Sequence, residues 1–334
     1  MVRLMKGFFL ILFLGGFLTG CAAQPGNVLE EGIAEVLKAD DTRPLTLFKV
    51  TKEGVEPSWL FGTCHGGVLL ADALPQDRLA LVEGASIFVM EVDPASMKPT
   101  DIQARLKLKD GETLESLMGA EQWAAVVEGL KLGPAAPIFN TMHPFALVGF
   151  VAGKIASSVG GVKHEGFVAM DLILEKMAAE KSVERTYLET IDQQMDLFLG
   201  MEMKFWTNAV ADLAKEETRQ EMRESMVKAL DVCRTGDPTE FLALSAKLEG
   251  EEKAFNERLL KTRNISWVAP LEALFAKGGA FVAVGAGHLV GEHSVVKMLE
   301  AKGWTVEQQR GVTPERAAVV EEADVATPEG ADPK

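Results

Sequence analysis

Four residues of this sequence have the side chains and the places that chemistry needs: His65, Glu91, Glu189 and His288. Each closely follows a run that reads as a strand, at 58–62, 86–90, 183–188 and 280–284. In an open sheet of mostly parallel strands, the loops at the carboxyl ends converge on one crevice, so groups far apart in sequence can meet there. Two imidazoles and two carboxylates make a ligand set for zinc, or for manganese if the carboxylates dominate. Such an ion lowers the pKa of a bound water and polarises a carbonyl, which gives hydrolysis without a side-chain nucleophile. Both histidines stand three residues after a glycine, in Gly62-Thr63-Cys64-His65 and Gly285-Ala286-Gly287-His288. Glycine permits the tight backbone that a strand-to-loop turn needs. A single histidine after a strand is more often a hydrogen-bonded structural residue than a ligand, so it is the repeated spacing that favours chemistry. Glu91 and Glu189 have a competing use as acids at the start of the helices that follow.

Other candidates weigh less. Gly285-Ala286-Gly287 suggests a dinucleotide loop, but its third glycine, Gly291, falls one place late for GxGxxG and no βαβ unit of sufficient length follows. Cys64 beside His65 could be a thiol nucleophile. Neighbours on an extended segment point to opposite faces, however, which favours a small buried residue. No GxSxG, CxxC or HExxH occurs. His143 and His164 read as surface or cap residues, His293 as a helix start, and the Met195, Met201 and Met203 region as core. Arg263, at an apparent helix break, is either a surface cation or a group that orients a carboxylate or holds a carbonyl oxygen.

The elements that must position these residues follow from periodicity. A helix is expected over 28–39, then a hairpin of strands at 45–50 and 58–62, a helix at 75–84 and the apolar strand at 86–90. Helical spacing dominates from 113 to 180, with stretches at 145–158 and 167–179. It resumes from about 192 to 275, with breaks near Gly236-Asp237-Pro238 and at Asn264. A helix at 294–301 and a strand at 304–308 complete the pattern. The expectation is an α/β fold: a mixed, mostly parallel central sheet flanked by helices, with a large helical insertion between the third and last core strands. One domain over 28–311 is expected, followed by a disordered acidic tail at 312–334.

The composition narrows the function. The 334 residues carry 49 acids against 34 bases, net charge -15, with no basic block, so a nucleic-acid partner is not expected. Arg3 and Lys6 precede the apolar run Gly7 to Gly20, too short to span a membrane comfortably but suited to a signal-peptide core. The run ends in Leu18-Thr19-Gly20-Cys21, which resembles the bacterial lipoprotein processing box, in which the cysteine sulfur takes a diacylglycerol. Cleavage after residue 20 and lipidation at Cys21 are therefore expected, with residues 21–27 as a tether and acyl chains as the membrane anchor. Alanine after Cys21 resembles the export signal for the outer membrane in Gram-negative bacteria. Cys64 and Cys233 then remain, and their spacing does not say whether they pair.

The motifs together resemble the TraB/PrgY/GumN family, which includes the TIKI proteins. The residues that carry the resemblance are Trp59-Leu60-Phe61-Gly62-Thr63-Cys64-His65, Val89-Met90-Glu91-Val92-Asp93 and Tyr187-Leu188-Glu189-Thr190. The last and clearest motif runs from Val282 to Gly291, preceded by Arg263, Asn264 and Trp267. The resemblance implies an α/β domain related to the erythromycin-esterase and ChaN-like superfamily, and TIKI members are metal-dependent proteases. Carried over by position, His65, Glu91, Glu189 and His288 form the metal or catalytic set, with Glu91 and Glu189 catalytic and Arg263 assisting. Asp171 falls near a Gly-x-Asp element of the family, but Gly166 is set further back here, which puts its role in question. The activity expected is an envelope metallohydrolase of a peptide or amide bond, using manganese, cobalt or zinc, with a glutamate relaying the proton. The alternative is a non-catalytic envelope protein that binds a peptide signal or haem.

Overall fold

The computed structural model describes residues 43–65, 67–96, 98–159 and 169–311. The expected leader, Cys21, the tether, the helix at 28–39, His164 and the acidic tail lie outside the described residues. Six strands form one sheet: β1 (Arg43–Thr51), β2 (Ser58–Thr63), β3 (Ile87–Met90), β4 (Glu184–Tyr187), β5 (Ala280–Gly285) and β6 (Thr305–Gly311). Their spatial order is β4-β3-β5-β2-β1-β6. β1 and β2 make the expected antiparallel hairpin, Val50 opposite Ser58, and β6 lies antiparallel on the outer side of β1. β2, β5, β3 and β4 all run parallel, which aligns their carboxyl ends on one edge.

The sheet is mixed and mostly parallel because helices cover both faces, as the unbroken apolar runs of β3 and β5 demand. All six residues of β5 are buried. Alternate residues feed two cores: Phe61, Phe88, Met90 and Phe281 face the large helical layer. Leu60, Val89, Val282 and Val284 face Trp267, Leu271, Phe275 and Leu299. On the first face the Phe281 ring lies 6.2 Å from that of Phe88 and 6.4 Å from that of Phe61. Each such ring contributes about 1.5–3 kcal/mol through burial. β4, polar and partly exposed, takes the sheet edge.

Six helices matter for the site: α1 (Pro144–Ser158), α2 (Met170–Glu180), α3 (Ile191–Leu199), α4 (Glu216–Thr235), α5 (Arg263–Phe275) and α6 (Val295–Ala301). The chain between β4 and β5 is helical among its ordered elements, which is the expected insertion. His143 caps α1, its Nδ1 accepting from the Phe145 N–H at 3.2 Å, and the residue is buried rather than on the surface. Thr190 caps α3 in a reciprocal box with Gln193. α4 ends at Gly236 with φ +65°, where a Cβ would stand 2.5 Å from the Pro44 backbone, so only glycine fits. The expected break at Asn264 is instead a π-turn, Arg258–Thr262, that runs straight into α5. No helix among the described residues is long and apolar enough to cross a membrane.

Candidate functional site

The four parallel strands end side by side in the order β4, β3, β5, β2, so Glu189, Glu91, His288 and His65 follow adjacent strand ends. The β3/β4 ladder runs on past the strands: the Leu188 N–H donates to Met90 O at 3.0 Å and the Glu189 N–H to Glu91 O at 2.9 Å. That pairing sets the two carboxylates on neighbouring backbones. β5 intrudes between β3 and β2, and the Gly285 N–H at its end donates to Glu91 Oε1 at 2.8 Å. Gly62 is required by close approach rather than by an unusual φ: a Cβ there would stand 2.9 Å from Ala286 Cα.

Arg263 is the hub. Its Nε–H is shared by the two Glu189 oxygens at 3.1 Å each, and Nη2 donates to Glu91 Oε2 at 2.6 Å and to Glu189 Oε1. Nη1 donates to Leu259 O at 3.3 Å and faces His288 Nε2 at 3.0 Å. A guanidinium has five N–H donors, and all five are engaged. Arg263 is thus buried rather than a surface cation, and of its expected roles the geometry selects the orienting of carboxylates. The π-turn does the placing: its i→i+5 hydrogen bonds widen the turn and shift the helix phase just before Arg263, Asn264 and Trp267, all of which are buried. The Trp267 ring then stacks under the guanidinium, 4.7 Å from Cζ, and beside the His288 ring at 4.4 Å.

His288 is held as one tautomer. Asn264 Nδ2 donates to the carbonyls of His293 at 2.7 Å and His288 at 3.3 Å, so its Oδ1 must be the atom that accepts from His288 Nδ1 at 2.6 Å. Nε2 is then the lone pair turned towards Arg263. Burial, reinforced by Arg263, presses the His288 pKa down to about 3, so the ring is neutral. Burial pulls Glu91 upward, but Arg263, His288 and the Gly285 N–H outweigh it and hold the carboxyl at about 2. Glu189 is displaced upward, because burial outweighs the guanidinium it shares. Gln194, one turn into α3, ties the pair together, its Nε2 donating to Glu189 Oε1 at 2.6 Å and Glu91 Oε2 at 3.2 Å.

His65 stands on the other side of this cluster. Its Nδ1 lies 3.5 Å from Asp171 Oδ1, in the first turn of α2. Burial, with Glu91 nearby, raises the Asp171 pKa against the pull of His65. Asp171 Oδ1 and Gln194 Oε1 are buried without a hydrogen-bond partner. The start of α2 therefore brings Asp171 to His65, while Gly166 lies outside the described residues. Cys64 is buried in the core with its neighbours, as its alternation with His65 predicts.

The family model for TraB/PrgY/gumN matches residues 46–308, which span all four strand ends. The chain belongs to the TraB/PrgY/gumN family. No curated protein and no solved structure matches it. In this family member the expected metal ligands do not fit an ion as they are arranged. Both oxygens of Glu189 and one of Glu91 are taken by Arg263, the other Glu91 oxygen by Gly285, and both His288 nitrogens by Asn264 and Arg263. Among the described residues no three His, Cys, Asp or Glu side chains stand together as a cation site. Among the described His, Cys, Asp and Glu side chains at these strand ends, His65 and Asp171 keep donor atoms outside the Arg263 network, one short of the three protein ligands that catalytic metal sites use. A fixed, ionised Glu91 is also a poor proton relay, since a useful base has a pKa near the working pH. Two features of the sequence mark this network: the Thr190-x-x-Gln193-Gln194 helix start and the consecutive Arg263 and Asn264.

Proposed function

We propose that this TraB/PrgY/gumN protein is an envelope hydrolase of a peptide or amide bond, anchored by lipid on Cys21, with His65 as its base. The observation that carries the reading is His65 with its Nδ1 3.5 Å from Asp171 Oδ1, a buried carboxylate oxygen without a hydrogen-bond partner, on the same sheet edge as Glu91. With Nδ1–H turned to Asp171, Nε2 takes a proton from an attacking water, and the carboxylates of Asp171 and Glu91 stabilise the imidazolium that forms. The same proton then passes to the leaving amine. Arg263, His288, Asn264 and Gln194 hold Glu91 and Glu189 in place and exclude water from behind them. Support for the hydrolytic class comes from the resemblance to the TIKI proteases, and support for the envelope location from the leader and Leu18-Thr19-Gly20-Cys21.

The test is cleavage of a peptide library by the full chain in detergent, with and without added manganese, cobalt or zinc. Cleavage by the wild type should fall about 10²–10⁴-fold in His65→Ala, and substantially in Asp171→Asn. No cleavage under any condition would remove the hydrolase reading in favour of a binding protein. Cleavage seen only with an added ion, and lost with it, would give the base role to a metal-bound water instead. Hemin added to the same protein should produce no absorption band that depends on His288, because the lone pair of that ring is already engaged.

A further inference from the structure

Beyond the leader cysteine the chain has two thiols, 169 positions apart in sequence, and the fold puts them against each other. Cys64 lies in the turn after β2 and Cys233 in the last turn of α4, and both are buried in the same core. The seating between these two segments is close on either side of the thiols. Arg234 Nη2 donates to Gly67 O at 2.7 Å, and a Cβ on Gly67 would stand 2.5 Å from Leu230 Cδ1. Leu230, Cys233 and Arg234 share one helix face by their spacing of three and four. The neighbouring Cys64 thiol, with burial, pushes the Cys233 thiol well above its ordinary pKa, and no bond joins the two sulfurs in the structure.

We propose that Cys64 and Cys233 are a disulfide site, oxidised when the chain folds in the presence of a disulfide-bearing oxidant. One thiolate attacks the oxidant's disulfide, forms a mixed disulfide and releases one oxidant thiol. The other cysteine then displaces the second oxidant thiol and closes the protein bond, so the two cysteines lose two protons and two electrons and the oxidant gains them. Because both sulfurs are inaccessible in the fold, the exchange takes place on the unfolded or opening chain, and closure afterwards shields the bond from reductant. The product staples α4 to the residue before His65. It thereby restrains the backbone of that turn through a covalent loop long enough to cost the unfolded chain much of its freedom. This inference stands whether or not the site hydrolyses anything.

The experiment uses the full chain purified from a bacterial envelope without reductant, its free thiols alkylated in denaturant before trypsin digestion. Cleavage after Lys52, Arg78, Lys228 and Arg234 isolates each cysteine on its own peptide, 53–78 and 229–234. The expected product is those two peptides linked and two hydrogens lighter than their sum. It should disappear on reduction and in Cys233→Ser. The oxidised chain should also melt several degrees above the reduced chain and above Cys64→Ser/Cys233→Ser, whose fold is checked by circular dichroism. Recovery of both peptides alkylated, or each carrying glutathione, even after refolding with oxidised glutathione, would overturn the proposal. So would a linked chain that melts no higher than the reduced one.

Discussion

The two Gly-x-x-His turns share a spacing and differ in almost everything around the ring. His288 has only 2% of its side chain exposed, with both nitrogens engaged, an aromatic neighbour and one enforced tautomer. His65 has a single 3.5 Å approach to a carboxylate whose oxygen lacks a hydrogen-bond partner. One turn is therefore built as a buttress, and the other carries the histidine that we propose as the base. The lesson is that a repeated motif reports a repeated backbone arrangement, strand end followed by tight turn, and leaves the role of each histidine to the residues that pack on it.

The comparison can be broken most forcefully at the buttress. Arg263→Met leaves Glu91 and Glu189 as buried carboxylates without their cation and should lower stability by about 3–5 kcal/mol in denaturant unfolding. Adding Glu91→Gln and Glu189→Gln to that variant should restore most of the loss. A triple variant no more stable than Arg263→Met would mean that the packing of Arg263, not its charge, holds the cluster. His288→Ala should cost about 2–3 kcal/mol, since it opens a cavity and strips partners from Asn264 and Arg263.

The pH dependence sharpens the contrast next. His288 and His143 titrate at about 3 and 4 in the fold against 6.5 when free, so as pH falls the unfolded chain binds protons first. Stability from this source is intact above pH 6.5 and is lost progressively down to about 3. Glu91, held at about 2 against 4.5, adds a loss below 4.5 of the same sign. Unfolding measured between pH 7 and 5 should show the onset, and a flat profile in that window would contradict a neutral, sealed His288. The smallest structural effect belongs to His65→Ala, expected within about 1 kcal/mol of wild type. A loss there as large as that of His288→Ala would erase the difference between the two turns.

Much of the fold was legible because its signals are local. The strands at 58–62, 86–90 and 280–284 are apolar runs closed by polar or glycine residues, and the hairpin, the Gly236-Pro238 break and the helical insertion follow from short-range patterns. The gathering of His65, Glu91, Glu189 and His288 at one sheet edge followed from the parallel-strand rule. Other parts were not legible, for identifiable reasons. A π-turn has no sequence signature, so Arg258–Thr262 reads as ordinary helix and Arg263 as sitting at a break. Gln194 looks like one more polar residue on an amphipathic helix until β3 supplies Glu91 beside it. Asp171 depends on where α2 starts, which the spacing of Gly166 obscures. That Arg263 spends every donor on its own chain is a property of three-dimensional packing alone.

The strand order has a consequence for how the molecule comes into being. β5 is the fifth strand in the chain yet lies between the second and the third. Until it has been synthesised, β2 and β3 have no common neighbour, the two halves of the sheet present raw edges to each other, and Glu91 lacks its Gly285 donor 194 positions downstream. Folding of this protein is consequently a late event in its biosynthesis, gated by the arrival of one hydrophobic strand near the end. A chain interrupted before Ala280 would be an open template for unwanted strand pairing rather than a smaller version of the protein.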